Sequence, residues 1–163
     1  MKLKQILLIL FTVLICACSG EERVIGLKEN IHHDDFEYSV QEFRRTDMIG
    51  NVKAKGLFYI INFRVENRAK RVSHNWDNST AYLVDKSGKE YENIPEQQRN
   101  LTATERFILK DKYDTPAGKT ESTMLVFEIP ADVKEIYLKV RGEFLMGDLF
   151  DGNKFTKTKV KLF

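Results

Sequence analysis

From residue 36 onward the chain alternates apolar and polar side chains with a period of two, which predicts strands that bury one face. Phe36, Tyr38 and Val40 alternate with Glu37, Ser39 and Gln41, and Phe43 falls one step out of register, as a bulge would place it. Residues 56–67 give the clearest strand. Leu57, Tyr59, Ile61, Phe63 and Val65 share one face, while the other passes from Phe58 and Ile60 to Asn62, Arg64 and Glu66. Such a strand is covered on both sides at its start and half-solvated at its end. Residues 81–85 and 89–94 flank Lys86-Ser87-Gly88, whose glycine suits a positive-φ hairpin position, so the two should pair antiparallel. Residues 121–129 place Leu125, Phe127 and Ile129 on one side and stop at Pro130, which cannot donate to a ladder. The link 130–135 is too short for a crossover helix, so the strand at 136–140 follows by a hairpin or a corner between sheets. Residues 155–163 set Lys157, Lys159 and Lys161 against Thr156, Thr158, Val160 and Leu162, and a lysine face predicts a protected edge strand.

Helix is scarce. Pro95 can open a turn, and Leu101, Glu105 and Ile108 fall on one side of residues 95–109, but Thr102, Thr104 and Phe107 weaken the pattern. A short helix or irregular loop is expected there, running on to the turn Pro116-Ala117-Gly118. Residues 71–80 read as a polar loop. About seven to nine strands with little helix predict an all-β fold, an immunoglobulin-like antiparallel β-sandwich over residues 35–163.

The amino terminus follows another pattern. Lys2 and Lys4 precede an apolar run over 6–15, the length of a signal-peptide core and short of the roughly 20 residues that span a bilayer. Ile15-Cys16-Ala17-Cys18 resembles the bacterial lipoprotein box, in which a small residue precedes a cysteine that receives a diacylglyceryl thioether before the leader is cut away. Cys16 stands where a small or hydroxylated residue is usual. The resemblance implies a signal peptide at 1–17 and a lipidated Cys18 that anchors the chain to a membrane of the cell envelope, an outer membrane facing periplasm or surface. Two or more acyl chains hold a protein stably where one does not. Residues 18–34, with Ser19, Glu21, Glu22 and the run His32-His33-Asp34-Asp35, read as a flexible tether.

Removing the leader changes the charge. The full chain has 26 Lys+Arg and 24 Asp+Glu; Lys2 and Lys4 leave with the leader, so the remainder balances and a nucleic-acid partner is disfavoured. Of the 2 cysteines only Cys18 remains, and once acylated it cannot pair, so the fold rests on its apolar core in place of disulfides.

Candidate chemistry is sparse. Imidazole and carboxylate in His32-His33-Asp34-Asp35 suit zinc or copper, yet neighbours on a strand point to opposite faces and His74 stands alone, so a solvated linker without metal is expected. Asp85, Ser87, Gly88 and Glu90 lack the spaced ligands of a calcium loop. In Ser73-His74-Asn75-Trp76-Asp77 only His74 could serve a nucleophile, and no glycine-framed serine elbow exists. No cofactor and no catalysis are expected. Two features point to binding. Trp76 is either an aromatic anchor for a partner or a plug for the core. Residues 144–152 hold Phe144, Leu145, Met146, Leu149 and Phe150 among glycines and acids; exposed, they mark a partner surface, and folded back, they extend the core. With Tyr113 these residues make the candidate interaction face, for a protein or envelope component. A small-ligand or polysaccharide carrier, or an inhibitor of another enzyme, stands as the alternative.

Five pieces follow one another in order: Phe36-Glu37-Tyr38-Ser39-Val40, the strand from Gly56 that closes on Phe63-Arg64-Val65-Glu66-Asn67, the hairpin from Tyr82 through Val84-Asp85-Lys86-Ser87-Gly88-Lys89-Glu90-Tyr91, Pro116-Ala117-Gly118-Lys119, and Leu125-Val126-Phe127-Glu128-Ile129-Pro130. Over residues 35–140 this order is similar to the DUF4352 family of exported immunoglobulin-like domains, with a "V-x-V-x-N" strand end, a "V-D-x-x-G-x-x-Y" hairpin, a proline-glycine turn and an "L-V-F-x-V-P" strand. Ala117 interrupts the turn motif, and 141–163 lies beyond the resemblance. What the resemblance implies is the fold and an extracytoplasmic accessory or binding role, with no catalytic residues.

Overall fold

The computed structural model describes residues 22–105, 107–143 and 145–163. The leader, Cys18 and Phe144 lie outside the described residues. Among those described, the strands in chain order are β1 (Arg23–Ile25), β2 (Ile31–His33), β3 (Phe36–Ile49), β4 (Val52–Asn67), β5 (His74–Asp77), β6 (Ala81–Asp85), β7 (Glu90–Tyr91), β8 (Lys112–Thr115), β9 (Thr120–Ile129), β10 (Ile136–Val140) and β11 (Thr158–Lys161). Three short helices join them: α1 (Pro95–Thr104), α2 (Met146–Asp151) and α3 (Lys154–Lys157). One sheet runs β1-β11-β10-β6-β7, the facing sheet β2-β3-β4-β9, and β5-β8 form a small ribbon.

The alternation along β4 explains the layers. Tyr59, Ile61, Phe63 and Val65 point into the main core, where they meet Leu83, Ile136, Leu138 and Val160 of the facing sheet. Phe58 and Ile60 point the other way and join Ile49, Val126 and Leu101 of α1 in a second apolar cluster. The double covering expected at the start of this strand is therefore supplied by α1. That helix ends at Thr104, where the Thr102 and Thr104 hydroxyls donate to the carbonyls of Arg99 and Leu101 and compete with further helical turns. The register shift between Val40 and Glu42 is the bulge expected before Phe43. The 130–135 link is a corner, since β9 and β10 lie in different sheets.

Four expectations fail. Residues 22–34 are not tether: β1 pairs in parallel with β11, β2 pairs with β3, and Ile25 and Ile31 are buried. Three-residue strands are too short to display a period. The strand near the carboxyl end is no edge, because β1 covers its free side, and its first residues form α3. Lys159 is neutralised there by Glu22. The 71–80 loop contains β5, which pairs with β8 in the stretch expected to be irregular.

Candidate functional site

One pole of the sandwich gathers the end of β2, the start of β3, strand β5, the turn leading into β6 and the chain leaving β10. They enclose a half-open concavity of about 610 Å³, whose walls include Phe36, Tyr38, His74, Trp76, Arg141 and Glu143. The Phe36 and His74 rings stack at 3.8 Å, and Tyr38 Oη lies 2.8 Å from His74 Nε2. Burial pushes the Tyr38 phenol far above its ordinary value. Burial, with a smaller push from His33, lowers the His74 imidazole from 6.5 to about 4. Both groups are neutral at pH 7, so this aromatic part of the wall carries no charge.

The His74 shift has a sign that can be measured. Between pH 6.5 and about 4 the unfolded chain takes up a proton that folded His74 refuses. Acidification through that window should therefore cost about 2 kcal/mol of stability, allowing for the ring's partial exposure. Urea unfolding of the wild type and of His74→Gln across the window should show this slope in the first and a flatter one in the second.

Arg141 closes the rim. It donates to Glu92 at 2.7 and 2.9 Å and to Glu90 at 2.7 Å, and its guanidinium lies 3.9 Å from the Tyr82 ring centroid. Two carboxylates already match this cation, while Glu143 and Asp77 also line the opening. The site therefore favours neutral or cationic groups over anions.

Beside the concavity sits a pair that sequence reasoning missed. His33 Nε2 lies 3.2 Å from Asp148 Oδ2, both side chains are 2% exposed, and the His33 ring stacks on Phe155 at 3.7 Å. Gly142 makes room for that ring, since a Cβ there would lie 2.6 Å from His33 Cε1. The run His32-His33-Asp34-Asp35 is thus no solvated linker as a whole. Strand alternation turns His33 inward and leaves His32 outside, 3.2 Å from Glu37. Among the described residues no group of three or more His, Cys, Asp and Glu is placed to hold a metal.

The expected interaction face divides. Trp76 is 6% exposed, reaching only the concavity wall, and Tyr113 1%, so neither stands on an exposed face. They are stacked at 4.1 Å beneath the concavity, with Trp76 Nε1 donating to Thr115 Oγ1 and Tyr113 Oη to Thr123 Oγ1, each at 2.8 Å. Packing these rings on Phe63 removes more apolar surface from water than a loop could. Leu145 is half-buried at the concavity, whereas Met146, Leu149 and Phe150 of α2 point to solvent.

The recurring sequence pieces prove to be fold-holding contacts. Asp85 Oδ1 accepts from the Ser87 amide and hydroxyl and the Lys89 amide, and Oδ2 from Tyr91 Oη at 3.0 Å, with Gly88 at φ +87°. The Ser87 hydroxyl chiefly holds Asp85 below the ordinary carboxylate range, and burial together with Asp85 pushes Tyr91 up to about 12. Asn67 Nδ2 donates to the carbonyls of Val72 and Thr115, its Oδ1 accepts from the Ala69 amide, and its backbone bonds Gly118 and Lys119. The strand-end asparagine and the Pro116–Gly118 turn therefore clasp each other. Ala117 takes the second turn position, which needs no positive φ, and Gly118 at φ +69° the third. The sequence matches DUF4352, a domain of unknown function, over residues 25–150. The chain belongs to the DUF4352 family. The match begins within β1 and takes in most of α2, so the family's domain is wider than its legible motifs.

Solved structures agree on the fold of this DUF4352 chain. The YjhA protein of Bacillus subtilis is similar at TM-score 0.58 and 16% identity, covering 85% of this chain and 98% of its own. MPT63, described as a secreted protein of Mycobacterium tuberculosis, is similar at TM-score 0.55 and 12% identity, covering 77% and 94%. An uncharacterized β-sandwich protein of Clostridium difficile follows at TM-score 0.53 and 13% identity, covering 89% and 97%. A search of curated proteins finds no match.

Proposed function

We propose that this DUF4352 protein is an envelope lipoprotein, held at a bacterial membrane by acyl chains on Cys18, whose β-sandwich is a non-catalytic binding module. The observation that carries this reading is the aromatic concavity at the pole, whose 610 Å³ falls within the roughly 300–1,000 Å³ of ligand sites. Its groups are arranged for contact rather than reaction. Ser79 lines it, but its hydroxyl donates to Asp77 at 2.6 Å, while His74 Nε2 is engaged by Tyr38. Among the described residues, Glu22 held low by Lys159, Asp85 by Ser87 and Glu135 by Tyr137 all lie outside the concavity. MPT63 is described as secreted, which agrees with an exported address. The same volume favours, as a second reading, a carrier of a small ligand or of a polysaccharide end.

Photo-reactive residues placed at Glu143, on the rim, and at Met48, at the far end of the β3–β4 hairpin, separate these readings in intact cells. The binding module predicts one discrete macromolecular adduct from position 143 and none from 48. A small molecule retained in native mass spectra, without an adduct, supports the carrier. No adduct and no retained molecule contradict both.

A further inference from the structure

Three of the large apolar side chains exposed in this molecule stand on one short helix. Met146, Leu149 and Phe150 are 70%, 62% and 86% exposed. Their i, i+3, i+4 spacing puts them on one face of α2. This is a held surface. On the other side of α2, buried Asp148 accepts from the Leu145 amide at 2.7 Å and faces His33 at 3.2 Å. Gly152 and Asn153, at φ +73° and +58°, end the helix abruptly, and the Asn153 amide returns to the Asp148 carbonyl at 3.1 Å. The helix is fastened through its one buried acid, and its apolar face is left in water.

The place of α2 decides what covers that face. β1 runs parallel to β11, with Arg23 opposite Thr158, so the described chain begins beside the segment that follows α2 and α3. Glu22 is bonded to Lys159, and to Lys139 at 3.3 Å. From Cys18 to Glu22 the chain is four residues, which extend at most about 14 Å. Acyl chains on Cys18 therefore hold this pole, and α2 with it, against the bilayer surface. We infer that the Met146–Leu149–Phe150 face inserts into the leaflet that holds the anchor, seating the domain in a fixed orientation. Three side chains are far fewer than the 20–30 residues a side of a specific protein interface, whereas interfacial insertion needs a compact apolar face and no matching partner. Exposed Lys154, at the start of α3, supplies a cation close in sequence to this face that suits lipid headgroups. The inference rests on the lipoprotein reading for its geometry.

The test uses the full chain purified from membranes and reconstituted in phosphatidylethanolamine–phosphatidylglycerol vesicles, with a nitroxide on Phe150→Cys or on Met48→Cys. Mass spectrometry of the same sample reads acylation. The expected result is an oxygen-to-nickel accessibility ratio several-fold higher at 150 than at 48. An acylated protein whose label at 150 stays aqueous, freely moving or immobilised against protein, overturns the insertion while leaving the anchor intact. A non-acylated protein whose label at 150 enters lipid removes the anchor and overturns the seating beside it, leaving only the apolar face's own affinity for lipid. A non-acylated protein with an aqueous label removes both.

Discussion

Trp76→Ala is expected to lower the unfolding free energy by about 4 kcal/mol, read from denaturant unfolding followed by circular dichroism. The indole lies between the Tyr113 ring at 4.1 Å and the edge of Phe63 at 6.0 Å, and is 6% exposed. Its truncation leaves a cavity at the base of the pole and removes the donor to the buried Thr115 hydroxyl. Trp76→Phe keeps most of the stack and loses that bond, so about 1–2 kcal/mol is expected. If Trp76 were instead an exposed binding anchor, its removal would change stability by no more than about 0.5 kcal/mol. The two roles are thus separated by a measurement that needs no ligand.

Asn67→Ala should be nearly as damaging, at about 3 kcal/mol. Three bonds of 2.8–2.9 Å disappear, and the Val72 and Thr115 carbonyls and the Ala69 amide lose their partner in a place where the side chain is fully buried. Each unsatisfied buried group costs about 1–3 kcal/mol, and neighbours sharing one loop do not add in full. The backbone bonds to Gly118 and Lys119 remain, so the sandwich should persist with a loosened clasp. Amide exchange is the sharper readout. Protection should fall for residues 69–72, 115 and 117–119 while the centre of the β4–β9 ladder stays protected. Equal loss across that ladder would mean that Asn67 supports the whole sheet.

β4 and β9 were legible because their alternation of buried and half-buried positions runs long enough for a period of two to show, whereas β3 was legible only over its first residues, 36–43, since most of its remaining length, up to Ile49, lies exposed and carries no apolar period. The Lys86–Gly88 turn was legible because it needs a glycine. β1, β2 and the β5–β8 ribbon were hidden by shortness, and by polar residues such as His33 and Thr115 whose burial depends on partners distant in sequence. The pole was illegible for the same reason: it joins residues near 33, 76 and 145, and alternation within one strand carries no information about what lies across the fold. From sequence, Trp76 and Phe150 were each open to a core or a surface place; packing against Phe63 and Tyr113 buries the first, and the second stands 86% exposed.

The account turns on where the chain is held, because a concavity and an apolar helix at one pole acquire a shared direction only from an anchor beside them. Intact mass spectrometry of the protein extracted from its native membrane tests this most directly. The expected species begins at Cys18 and carries the added mass of a diacylglyceryl group; a chain that retains residues 1–17, or begins at Cys18 with an unmodified thiol, contradicts it.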